Sequence, residues 1–301
     1  MRIAFTDFYS GYQAHLTHNP VTKYFVESPE WEIVKPGDNP DLIIASVFGK
    51  EHTKYPDAHK LLWAAENMAL GSMWRHIGSF EGVDWAFVDN HKEAVNIPES
   101  VKYYYLPYAP IHYDMEQIKR WHDKNVKRPK TKFCCFVSSG NGQGEGYPLR
   151  NNFFEFVNGK YKRVDSAGGN LNNMNGYRAP HGDAYIDWVA DYKFMICFEN
   201  SQGAGYLSEK IFTPYAAGTI PIYWGDKSNF NYVRKEACIF YTTPQETLYN
   251  LMFFDNSPTL YKDIVNRPLF YTPEELNGKE DVLSSNYIKK LLDEIVTEIK
   301  S

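Results

Sequence analysis

The residues best suited to chemistry in this chain lie between positions 194 and 225, in FMICFENSQGAGYLSEKIFTPYAAGTIPIYWG. An apolar run reads as a buried strand, a loop carries Gly203 and Gly205, a helix is expected over 208–217, and 220–224 returns to the sheet. Backbone N–H groups at a helix start can face an anion, and glycine lets the main chain come close to it. Lys210, expected just inside the helix, would add a full positive charge, so the segment reads as a phosphate site. A plainer account fits the same residues: Ser208 as an N-cap, Glu209 as a first-turn carboxylate favoured by the helix dipole, Lys210 as a solvated side chain. Neither common nucleotide loop is present, since a P-loop needs Gly-Lys-Ser/Thr and a dinucleotide loop would want glycine where Ser208 stands. The local residues leave both accounts open.

The elements that must position these residues alternate regularly. Strands are predicted over 133–137, 161–164, 194–198 and 220–224, with helices over 151–158, 184–191 and 208–217, a βαβ succession that implies a doubly wound sheet. The first third has its own β-rich runs at 2–5, 42–48, 60–65, 85–88 and 103–106, several continuously apolar, as in parallel strands buried on both faces. Residues 117–132, QIKRWHDKNVKRPKTK, form the most basic stretch and read as a linker. From 283 to 300, Ile288, Leu291, Leu292, Ile295 and Ile299 recur at helical spacing, so the tail is expected to be an amphipathic helix. Two α/β units result, and such pairs commonly bind ligands outside the carboxyl ends of their strands.

Composition narrows the function. The chain has 301 residues, 43% hydrophobic and 16% aromatic, and a formal charge of −5 gives no broad positive surface for nucleic acid. An anionic ligand must therefore meet local cations. Cys134, Cys135 and Cys197 sit in apolar runs where a thiol acts as a small hydrophobe, and neither a disulfide framework nor a zinc site is expected of the four cysteines. No signal peptide or membrane span is read, so the expectation is a cytoplasmic protein. Trp63, Tyr103, Tyr104, Tyr105 and Tyr108 could stack on sugars but are expected in the core, and His52, His59, His112 and His181 lack ligand spacing.

At 194–225 the chain resembles the α-1,3/4-fucosyltransferases, glycosyltransferase family 10, its bacterial branch most. In that family Phe-Glu-Asn-Ser/Thr, then Tyr, then Thr/Ser-Glu-Lys lead into Pro-Ile/Val-Tyr-Trp-Gly. Here Phe198-Glu199-Asn200-Ser201, Tyr206, Ser208-Glu209-Lys210 and Pro221-Ile222-Tyr223-Trp224-Gly225 stand in that order. Pro148-Leu149-Arg150-Asn151 agrees, as does Gly168-Gly169 followed by Asn173 and Gly176-Tyr177. The resemblance covers most of residues 131–226.

The resemblance implies a GT-B fold of two Rossmann-like domains facing across a cleft. The domains would be an acceptor-binding one at 1–120, a basic linker at 121–132, a donor-binding one at 133–282 and the C-terminal helix at 283–301. It implies GDP-fucose as donor, with Arg150 and Lys210 neutralising the diphosphate and Asn173, Asn200, Tyr206 and Glu209 completing the donor site. Glu66, in LLWAAEN, matches a Glu-Asn step whose glutamate is the general base in bacterial relatives; a strand-end carboxylate capping the following helix is the plainer account. The implied reaction is an inverting transfer of L-fucose to a GlcNAc-containing oligosaccharide, most simply to O3 in N-acetyllactosamine. Protein cations would carry the leaving-group charge and no Asp-x-Asp triad ends a strand, so no metal is expected to be required, with manganese or magnesium at most stimulatory. Bacterial relatives often continue into heptad repeats and a basic tail. Here Lys289, Lys290 and Lys300 balance Asp293, Glu294 and Glu298, so membrane association is expected to be at most peripheral, at the inner face. Two other readings stay in view: a GT-B transferase using a different nucleotide sugar, and a catalytically silent carbohydrate- or nucleotide-binding module.

Overall fold

The computed structural model describes residues 1–8, 20–69, 80–108, 114–140 and 144–301. They form two compact units, the first built from Met1–Met115, Gly203–Leu207 and Lys279–Ser301, the second from Glu116–Gln202 and Ser208–Gly278. Both are α/β with parallel sheets, the fold class expected from the alternation of elements.

In the first unit, strands β1 (Arg2–Thr6), β2 (Glu32–Ile33), β3 (Leu42–Ala45), β4 (His59–Ala64), β5 (Trp85–Val88) and β6 (Lys102–Tyr105) make one sheet in the order β2-β1-β3-β4-β5-β6. The period-two alternation of a strand divides each apolar run between two faces. Ile3, Leu42, Ile44, Leu61, Trp63 and Phe87 point to one side, where they meet Val21 and Phe25 of helix α1 (Pro20–Val26) and the C-terminal helix, Ser285–Lys300. That helix contributes Ile288, Leu291, Leu292 and Ile295 of the expected apolar stripe, with Val296 in addition and Ile299 only partly buried against them, each such side chain worth about 1.5–3 kcal/mol when fully buried. Ala4, Ile43, Ala45, Leu62, Ala64, Ala86 and Val88 face the other way into a second core.

The second unit carries helix α2 (Met115–Asn125), strand β7 (Lys132–Phe136), helix α3 (Gly146–Lys160), strand β8 (Val164–Ser166), helix α4 (Asp183–Val189), strand β9 (Tyr192–Ile196), helix α5 (Phe212–Ala216), strands β10 (Ile220–Tyr223) and β11 (Ile239–Phe240), and helices α6 (Pro244–Asn256) and α7 (Pro258–Val265). Its strand order is β11-β10-β9-β7-β8, all parallel. Phe136, Val164, Phe194, Ile196, Ile220 and Ile222 pack against Phe153 and Val157 of α3 and Leu251 of α6.

Residues 121–132, expected as a basic linker, begin inside α2. The stretch is short of apolar residues, yet it folds because its polar groups satisfy the carbonyls that helix ends leave open. The ring of His122 stacks on Tyr215 and its Nδ1–H donates to Tyr215 O at 2.8 Å, while Asn125 donates to Ala216 O at 3.1 Å. The Lys130 ammonium reaches Asn125 O, Ala190 O and Ala217 O at 3.2, 2.9 and 2.8 Å, closing the ends of α2, α4 and α5 together. Gly203–Leu207, inside the stretch expected as the donor domain, is counted with the first unit.

Candidate functional site

The chemistry-bearing residues of the second unit gather beyond the carboxyl ends of β9 and β10. Glu199 N–H donates to Trp224 O at 2.8 Å, which extends the β9–β10 pairing past the strand itself and fixes the Glu199-Asn200 step. Gly146 opens α3 directly against that step: its N–H donates to Asn200 O at 2.9 Å, and a Cβ there would overlap the carbonyl oxygens of both Glu199 and Asn200. Only glycine lets the helix start this close.

Arg150 extends from the first turns of α3 and is buried. Its Nη1 donates to Asn200 Oδ1 at 3.0 Å and its Nη2 to Ser138 Oγ at 2.9 Å, while Cζ lies 4.1 Å from the centre of the Tyr147 ring. Nε is buried with no hydrogen-bond partner among the described residues. Burial lowers the proton affinity of the guanidinium, though an arginine keeps its charge at any physiological pH. A buried, planar cation with an unspent donor is suited to a multidentate oxyanion such as a phosphate.

Lys210 is placed differently from the expectation. The helix begins at Phe212, not at Ser208, so Lys210 lies in a turn before it and Ser208 is not an N-cap. The reason is local: Ser208 spends its N–H and its hydroxyl on Glu199, at 3.1 Å to Oε1 and 2.5 Å to Oε2, and Pro214 is tolerated only in a first helical turn. The positive charge is therefore set by side chains rather than by a helix terminus. Lys210 Nζ donates to Ser208 Oγ at 3.0 Å and lies 3.4 Å from Glu209 Oε1 and 3.5 Å from Glu199 Oε2. Desolvation works against its charge, but the Glu209 and Glu199 carboxylates outweigh it and hold the ammonium above the ordinary lysine range.

Glu199 is the residue the sequence reading passed over. It is fully buried, accepts from Ser208 twice and from the Tyr223 hydroxyl at 3.1 Å, and Tyr223 in turn accepts from Asn229 Nδ2 at 2.9 Å. Burial pushes its carboxyl up, with Lys210 opposing. Its signal in the sequence was a carboxylate ending an apolar strand with a Ser-x-Lys nine residues on, but nothing in spacing alone says that the two meet.

Arg150, Asn200, Glu209 and Lys210 thus lie together in the second unit. The amide of Asn173 is engaged on the main chain of β8: Oδ1 accepts from Ser166 N at 2.8 Å and Nδ2 donates to Val164 O at 2.9 Å. Tyr206 belongs to the first unit, buried in the segment Gly203–Leu207. That segment is tied down by His91 N–H to Ala204 O at 2.8 Å and Tyr105 hydroxyl to Gly205 O at 2.7 Å. Gly205 has φ +84°, and a Cβ on it would overlap His91 and Tyr105.

Also in the first unit, Glu66 is half-buried just past the end of β4. The next residue, Asn67, is buried and pins the turn, its Oδ1 accepting from Ala69 N at 3.1 Å and Asn90 Nδ2 at 3.0 Å. Trp63 lies in the core as expected, and Tyr103, Tyr104, Tyr105 and Tyr108 are half-buried. His52 is fully buried with its Nδ1 2.6 Å from Asp7 Oδ2, His59 and His181 are exposed, and His112 lies outside the described residues. The four cysteines are buried free thiols. No helix among the described residues is long and apolar enough to cross a membrane.

Comparison with known proteins agrees with this picture. The family model for glycosyltransferase family 10 (fucosyltransferase), C-terminal part, matches residues 127–284, just over half of the chain. Protein R654 of Acanthamoeba polyphaga mimivirus, named for an inferred fucosyltransferase activity, is 29% identical over 94% of this chain and 45% of its own length. The alpha-(1,3)-fucosyltransferase FucT of Helicobacter pylori is 39% identical over 33% of this chain and 19% of its own length. The matches thus span less than half of these relatives. A crystal structure of an alpha1,3-fucosyltransferase with GDP-fucose superposes with a TM-score of 0.69 at 20% identity, covering 100% of this chain and 90% of that one. At that identity the likeness establishes the fold, the GT-B class expected from the sequence.

Proposed function

The chain belongs to glycosyltransferase family 10, the fucosyltransferases, and from that premise we propose that it moves L-fucose from GDP-β-L-fucose to O3 of GlcNAc in an N-acetyllactosamine-type oligosaccharide. The observation that carries the proposal is the pair of cations, Arg150 and Lys210, held on buried polar anchors within the stretch that the family model matches.

In the proposed reaction Glu66 takes the proton of the acceptor hydroxyl, the freed oxygen forms a bond to the anomeric carbon from the face opposite the nucleotide, and the bond to the β-phosphate oxygen breaks with its electron pair leaving on GDP. Charge grows on that oxygen as the bond lengthens. Preorganised donors aimed at such developing charge are worth about 3–4 kcal/mol each. Asn200 sets the direction of Arg150, Glu209 lies against Lys210, and Tyr206 is proposed to complete the donor site. Asn173, with its amide engaged on β8, shapes the loop. With two cations on the leaving group, turnover is expected to persist in the presence of a chelator.

Incubation with GDP-fucose and a panel of oligosaccharides, read by mass spectrometry, tests the function. Addition of one deoxyhexose to a GlcNAc-containing disaccharide is the expected result. Stabilisation by UDP or CDP sugars but not by GDP-fucose would point to another donor. GDP-fucose binding without transfer to any acceptor would make the protein a silent binding module.

A further inference from the structure

We propose that Glu199 is a positioning residue for the leaving-group site, acting on Lys210 through the Ser208 hydroxyl; this rests on the reading of Lys210 as a diphosphate ligand. A hydroxyl has one hydrogen to give. Ser208 gives it to Glu199 Oε2, at 2.5 Å, so its lone pairs are left to accept, and what they accept from is the Lys210 ammonium at 3.0 Å. Direction in this relay is therefore fixed by the charge state of Glu199. As a carboxylate Glu199 takes three hydrogens, from Ser208 N, Ser208 Oγ and Tyr223 Oη, and the last of these is free to give its own because Asn229 donates to it. Every hydrogen along Asn229–Tyr223–Glu199–Ser208–Lys210 then points toward Glu199, and the ammonium is drawn to one place.

The buried negative charge also acts on Lys210 directly, with Oε2 3.5 Å from Nζ. Glu209 supplies a second carboxylate at 3.4 Å, but its side chain is about one-third exposed, at 34%, whereas Glu199 is closed off from water. Both carboxylates hold the ammonium in its charged form, and Glu199 also reaches it through the Ser208 hydroxyl. The positioning group is thus the glutamate in Phe198-Glu199-Asn200, while its neighbour Asn200 serves Arg150. One strand end orients both cations.

Glu199→Gln is close to isosteric and inverts the relay. With the glutamine oxygen toward Ser208 N and Tyr223, its NH₂ faces Ser208 Oγ, which must now accept, and the hydroxyl hydrogen turns toward the ammonium. Ser208→Ala breaks the relay while leaving the carboxylate in place with its bonds from Ser208 N and Tyr223, and Ser208→Thr keeps the relay.

The experiment is a double-mutant cycle between Glu199→Gln and Lys210→Met, repeated with Ser208→Ala, reading GDP affinity by calorimetry together with kcat and KM for GDP-fucose. The expected result is a loss of about tenfold or more in GDP affinity and a larger loss in kcat for Glu199→Gln, with no further loss when it is added to Lys210→Met, and partial retention in Ser208→Thr. Additive losses in both cycles, or a Ser208→Ala protein with wild-type kcat, would overturn the inference, and the Ser208 cycle decides it if Glu199→Gln does not fold. Wild-type protein that binds no GDP would overturn the donor reading itself, and this inference with it.

Discussion

The Arg150 guanidinium lies over the ring of Tyr147, three residues earlier on the same helix, with 4.1 Å between Cζ and the ring centre. The ring supports the flat face of the cation while Asn200 and Ser138 hold its edge, so shape matters here as well as charge. Arg150→Lys keeps the charge but loses the fork and the stacking. The expected outcome is a fall in kcat/KM for GDP-fucose of about 10²–10³-fold, measured in steady-state assays. A lysine variant within a few-fold of wild type would show that only charge is used.

Glu66→Gln separates binding from chemistry. A general base contributes about 10²–10⁴-fold, and its amide cannot take a proton. The variant should bind GDP as wild type does in calorimetry while transfer falls by that factor. Undiminished turnover would remove Glu66 from the mechanism.

Two glycines on α3 make an internal control. Gly146→Ala drives a Cβ into the carbonyls of Glu199 and Asn200, and overpacking of this kind costs about 1–3 kcal/mol. Gly159, on the same helix, has open space around it, and alanine there should stabilise by about 0.5–1 kcal/mol. Urea midpoints of the two variants should move in opposite directions, and GDP affinity should weaken only in the first.

Asp255 gives a pH dependence remote from the site. Burial acts to raise its carboxyl, but donors from Lys162, Lys193 and Tyr161, at 2.5, 2.8 and 2.8 Å, outweigh it and hold the group below its ordinary value. Stability from the charged form is therefore fully present above the unfolded-state value and is lost as pH falls through the lower folded one. Asp255→Asn should be less stable by about 1–2 kcal/mol near neutrality, a modest figure because both lysines are partly exposed. The gap should close below about pH 4 in denaturant titrations. A gap that persists at low pH would mean that packing, not charge, is at stake.

Most of the fold was legible because continuous apolar runs and the Ile288-to-Ile299 stripe report burial directly. That Arg150, Asn200, Glu209 and Lys210 lie together was legible for another reason: they sit in two motifs whose order is specific. Two features were not. The basic run of α2 hid a helix because His122, Asn125 and Lys130 are anchored by carbonyls of distant helix ends, which hydrophobic periodicity does not register. The start of α5 was misread because Ser208 has two local uses, capping a helix or serving a buried carboxylate, and only the fold brings Glu199 near enough to choose.

The division of the chain also bears on how such proteins can be recombined. The main chain passes between the two units four times, at 115/116, 202/203, 207/208 and 278/279. A chimera made by a single splice near 116 would part the first sheet from its C-terminal helical cover and take Ala204 and Gly205 away from His91 and Tyr105, and a fragment limited to 127–284 would carry Ala204 and Gly205 without those partners. A graft that is to exchange donor preference between relatives must leave those two pieces with the recipient, threading a mosaic of three native stretches around two foreign ones.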